Sequence, residues 1–141
     1  MCAGSTRSIE PDEAIIRRIP KCPGYYDPLK NPPIERGAFT PNKNDKDGLS
    51  CFLEREMSAE DLLARSNQPG SNYVIVRFRA ADLFQMGLSL IRTNDPDDLP
   101  GHVVIPEINF QDYKDPRQKP RLKELGKALV DLARHNIVAS G

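Results

Sequence analysis

The sequence predicts a single α+β domain with a mixed or mainly antiparallel sheet, a short capped helix and a C-terminal amphipathic helix. Three observations carry that expectation. Short runs rich in Ile, Val and Phe recur along the chain, as strands do. The stretches between them, above all residues 20–48, lack the regular helix that repeated parallel winding needs. Helical periodicity is strongest near the C-terminus, in a stripe of leucines. A length of 141 residues gives one domain a sufficient core, and thirteen prolines impose many connections between short elements.

In order, residues 1–12 read as a flexible N-terminus and residues 13–141 as the domain. Residues 14–19 form a strand stopped by Pro20, with Ile15, Arg17 and Ile19 on one face and Ile16 and Arg18 on the other. Residues 21–33 are irregular, with four prolines, Tyr25 and Tyr26. Phe39 is an isolated aromatic anchor. Asp47-Gly48 is a turn signal that starts a strand over residues 48–53. Ser58 and Asp61 make a capping box that opens a helix ending near Ser66.

Residues 73–79 are the organising strand, with Val74, Val76 and Phe78 forming a wholly apolar face. A short helix over residues 80–86 closes at Gly87, and residues 88–91 are extended. After an acidic loop, residues 102–106 form a strand that residues 107–110 can extend past Pro106. The final helix starts close to Pro120 and shows Leu122, Leu125, Leu129 and Leu132 along one stripe. Within it Gly126 costs about 1 kcal/mol relative to alanine unless it permits close packing.

Twenty basic and twenty acidic residues cancel, so no nucleic acid or anionic membrane is expected as a partner. No apolar run approaches the ~18 residues of a membrane span, and the N-terminus lacks a signal-peptide core, which points to the cytoplasm. Cys2, Cys22 and Cys51 have neither zinc-site nor disulfide-framework spacing. His102 and His135 make no ligand spacing, so no metal is expected. Asp95, Asp97 and Asp98 read as a solvated turn because a calcium loop needs alternating ligands, a glycine and a closing glutamate. Phosphate-cradling glycine motifs are missing.

Candidate ligand-binding residues are Arg17, Arg18 and Ser50. A guanidinium fork in an apolar strand suits phosphate or carboxylate. Ser50 lacks the glycine-flanked elbow of a nucleophile, which leaves hydrogen bonding to a ligand. His102 follows Asp97 and Asp98, carboxylates that can orient its ring for acid–base work. Arg77 and Arg79 line either a basic groove or an exposed face.

At Phe39-Thr40-Pro41, Asp47-Gly48-Leu49-Ser50 and the segment from Asp95-Pro96 to His102-Val103-Val104-Ile105, the chain resembles a family of short uncharacterised bacterial proteins. The order of Arg17 or Arg18, Ser50 and the segment from His102 to Glu107 is also similar to the ADP-ribosyltransferase-like fold. That resemblance implies NAD as cofactor, an arginine on its phosphates, Ser50 on the ribose, and His102 and Glu107 as catalytic residues. The chain departs from that pattern in having no Ser-Thr-Ser and no paired late glutamates. Without a strong catalytic constellation, the sequence favours a non-enzymatic interaction module, partner-binding or toxin-neutralising, that uses residues 22–33 or the last helix. The alternative is the ADP-ribosyltransferase-like protein binding NAD or another anionic, nucleotide-like ligand.

Overall fold

In the computed structural model, which describes residues 9–30, 33–43, 45–70, 72–93 and 98–141, the β-branched runs hydrogen-bond into one open six-stranded sheet. The strands are β1 (Ala14–Pro20), β2 (Leu49–Leu53), β3 (Tyr73–Arg79), β4 (Ile91–Arg92), β5 (His102–Ile105) and β6 (Ile137–Ser140). Their order is β4-β5-β2-β1-β3-β6, and each neighbouring pair is antiparallel. The α+β class is as the sequence predicts, and the sheet is antiparallel throughout rather than mixed.

Register sorts the side chains between two faces. Ile15 lies opposite Phe78, Arg17 opposite Val76 and Ile19 opposite Val74, and residues paired this way share a face. This first face forms the larger core. It is closed by α2 (Ala80–Gln85), by α4 (Lys119–Ala133) through Leu122, Leu129 and Ala133, and by a 3-10 turn (Arg36–Phe39) through Phe39. The second face buries Ile16, Phe52 and Ile75 under Leu62 of α1 (Ala59–Ser66). Each such apolar side chain, once buried, stabilises the fold by about 1.5–3 kcal/mol.

Local signals act as their chemistry requires. Ser58 Oγ accepts from the Asp61 amide at 3.1 Å and caps α1. Gly87 takes a φ of 82° just past α2. Residues 9–12 are tied to the domain, since Pro11 O accepts from the Ala81 amide at 2.8 Å and Ile9 packs against the larger core.

Other expectations are corrected. Residues 107–110 do not extend β5; Asn109 caps α3 (Phe110–Lys114), its side chain accepting from the Asp112 amide at 2.8 Å. Of residues 88–91 only Ile91 enters a strand, because β4 is two residues long. A sixth strand follows the final helix. Arg77 is not free to form a basic groove, since Nε and Nη2 each meet Glu54 at 2.6 Å. Cys2, Asp95 and Asp97 lie outside the described residues.

Gly126 faces the 3-10 turn, where an added Cβ would sit 3.8 Å from Phe39 O and 3.9 Å from Phe39 Cβ, an ordinary contact. Close packing therefore does not require the glycine. Gly126→Ala is expected to raise stability by about 0.5–1 kcal/mol and Tm by about 2–4 °C, read by urea and thermal unfolding. A lower Tm would mean that α4 sits tighter on the turn than these distances allow.

Candidate functional site

The second face is only partly roofed by α1, and Ser50, His102 and Val104 lie on it beyond the helix. Ser50 pairs with Val104 and Phe52 with His102, so the serine and the histidine sit on the same side of adjacent strands. Two glycines make this approach possible. Gly101, at φ 77°, turns the chain into β5, and a Cβ there would lie 3.0 Å from Leu53 O. Gly48, at φ 140°, starts β2 where a Cβ would meet Ile105 O at 2.5 Å. Only glycine fits that approach.

The imidazole of His102 rests against Phe52, with ring centroids 5.3 Å apart. Its Nε2 is 2.5 Å from Ser50 Oγ. On its other side Nδ1 lies 3.1 Å from Asp98 Oδ2 and 2.9 Å from Thr93 Oγ1. The Thr93 hydroxyl donates to the same oxygen of Asp98. That bond above all, with the one from His102, holds the Asp98 carboxyl below its ordinary pKa.

These groups line an open pocket of about 450 Å³ with Asp45, Asp47, Gly48, Ile91, Arg92 and Val104. Arg92 spends two nitrogens on the carboxylate of Glu56, at 3.0 and 2.8 Å. This bidentate pair, more than the neighbouring Arg55, pulls the Glu56 carboxyl below its usual range.

The residues nominated from the sequence divide. Ser50 and His102 meet in the pocket. Arg17 is on the opposite face, where Nε and Nη2 donate to Ala38 O at 3.0 and 2.8 Å and Nη1 to Ser50 O at 2.6 Å. Burial lowers its pKa. Arg18 shares the face of Ser50, but it donates to Ser66 Oγ at 3.0 Å and lies 5.8 Å over the Phe52 ring. Glu107 accepts from the amide and hydroxyl of Ser89, at 2.8 and 2.6 Å, and does not line the pocket. Thr93 and Arg92 were missed; a threonine beside an acidic loop carries no sequence signal of its own.

Among the described residues no cluster of three or more His, Cys, Asp or Glu could hold a metal ion, and Cys51 is buried with its thiol pushed up to about 11 by desolvation. No helix among the described residues is long and apolar enough to cross a membrane. In comparisons with known proteins, no family model, curated protein or solved structure matches the chain.

Glu56 and Asp98 both titrate below their unfolded values of about 4.3 and 3.9. A carboxyl depressed in the folded state adds stability that is fully present above the unfolded pKa and is lost as pH falls through the folded one. Stability in urea is therefore expected to hold down to about pH 5 and to decline below about pH 4. Glu56→Gln should make that decline shallower. An identical acid limb in the variant would show that the Arg92 pair adds nothing.

Proposed function

We propose that the pocket is a nucleophilic acyl-transfer site that hydrolyses an ester. The observation that supports this reading is a relay in which Ser50 Oγ lies 2.5 Å from Nε2 of His102 while Nδ1 faces Asp98 at 3.1 Å. An ionised carboxylate only accepts, so Nδ1 carries the hydrogen in neutral His102 and Nε2 is free to take the serine proton. The strand position of Ser50 lacks a glycine-flanked elbow, so the neighbouring strand rather than a local turn brings the base to it.

In the first step Ser50 Oγ bonds to the ester carbonyl carbon and its proton passes to Nε2. The carbonyl oxygen takes the negative charge, and the N–H groups of Arg92 not spent on Glu56 are donors available to it. The tetrahedral species collapses as the carbon–oxygen bond to the alcohol breaks, and the alcohol leaves with the proton from Nε2. Water then attacks the acyl-Ser50, gives a proton to Nε2, and the acid departs as Ser50 recovers its own.

The NAD alternative has less support. A pyrophosphate would face Asp45, Asp47 and Asp98, while Arg17 spends its three nitrogens on main-chain carbonyls of the other face and Arg18, which donates to Ser66, does not line the pocket. The partner-binding alternative would use residues 22–33 or α4; the first of these exposes Leu29, at 94%, and one exposed leucine is ordinary on a protein surface.

The test is covalent labelling with a fluorophosphonate, followed by peptide mapping, together with hydrolysis of p-nitrophenyl acetate. Label is expected on Ser50, and both labelling and hydrolysis should fall about 10²–10⁴-fold in His102→Ala. Ser50→Ala should take no label. A folded wild-type protein that stays unlabelled at Ser50 would sink the proposal.

A further inference from the structure

Building on the acyl-transfer reading, we infer that Thr93 is the positioning residue that selects the reactive tautomer of His102, by keeping its hydroxyl hydrogen on Asp98. The argument is an inventory of protons. A threonine hydroxyl has one hydrogen and can accept as well. Thr93 Oγ1 has three neighbours: Asp98 Oδ2, Nδ1 of His102 at 2.9 Å and His102 O at 3.4 Å. Of the three, only the bond to the carboxylate is charge-assisted, so the hydrogen resides there. Toward Nδ1 the hydroxyl can then only accept.

Nδ1–H consequently has two acceptors, Asp98 Oδ2 and Thr93 Oγ1, and Nε2 is left bare beside Ser50. The opposite arrangement opens only if Asp98 leaves Nδ1. If Thr93 turned its hydrogen to Nδ1, the ring would carry its own hydrogen on Nε2 and point it at Ser50 Oγ, which could no longer give up its proton. Thr93 stands between the two states, and its bond to Asp98 selects one. The same bond, beside the one from Nδ1, keeps the 31% exposed side chain of Asp98 from swinging toward water and releasing the ring. Thr93 directly follows β4, at the sheet's edge, so altering its hydroxyl leaves the buried faces intact.

The tautomer of His102 is read directly by long-range ¹H–¹⁵N correlation on ¹⁵N-labelled protein, at a pH where the ring is neutral. Wild type is expected to show hydrogen on Nδ1. Thr93→Val, which keeps the branched shape without the hydroxyl, should show a mixture of tautomers and slow fluorophosphonate labelling of Ser50 about a hundredfold. Thr93→Ser should restore both signals, and Thr93→Ala serves in place of valine if that variant misfolds. A variant lacking the hydroxyl that keeps the wild-type tautomer would overturn the inference. If Ser50 in the folded wild type takes no label, the acyl-transfer reading falls, and the tautomer comparison still decides the role of Thr93.

Discussion

A guanidinium bonded to main-chain carbonyls holds the centre of this fold. Arg17 projects from the middle of β1 into the larger core, and its three nitrogens reach Ala38 O and Ser50 O. Desolvating a cation costs several kcal/mol, which charge-assisted hydrogen bonds must offset. The result is a clamp between strand and covering layer. One acceptor belongs to the 3-10 turn and the other to β2, so the turn that carries Phe39 is fixed against the sheet. Ser50 is thereby held from both sides, its carbonyl oxygen by Arg17 and its hydroxyl by His102.

The site sits on the second face because the covering layers are unequal. The six-stranded sheet is about 24 Å wide at the usual strand spacing. The eight residues of α1 span about 12 Å. One short helix can roof Ile16, Phe52 and Ile75, and the β2–β5–β4 end is left open to water. Polar side chains at that end face no apolar layer, so Ser50 and His102 can be placed there without an unsatisfied buried atom. None occurs among the described residues.

What the sequence could disclose was local. The residues of β3 announce a strand by their own shapes, Ser58 announces a helix start, and the leucine stripe of α4 announces its buried side. Alternation also put Arg17 beside Ile15 and Ile19 on the core face, although it could not show that main-chain carbonyls waited there. The features that escaped depend on partners distant in the chain. Residues 137–140 carry too little pattern to declare a strand, and become one by pairing with β3. Asn109 is a good cap, but the proline before it invited an extended reading. In the site, His102 and a nearby carboxylate were legible, whereas the alignment of β2 on β5, which puts the serine against Nε2, was not.

Charge within the pocket favours one half of the proposed chemistry and burdens the other. When His102 accepts the serine proton in that reaction it becomes a cation, and Asp98, which meets Nδ1, stabilises it, with Asp45 and Asp47 in the same pocket wall. The same three carboxylates oppose the negative oxygen that forms on the substrate at that moment. Arg92 is the cation among the pocket-lining residues able to counter them, and Glu56 already balances its charge. In the proposed reaction its contribution would be directional rather than net-electrostatic, since the bidentate pair with Glu56 restrains the guanidinium and a restrained donor need not reorganise as charge develops. A pocket with three carboxylates in its wall disfavours a phosphorylated ligand and, under the proposed reaction, leaves an uncharged acyl group as the better match.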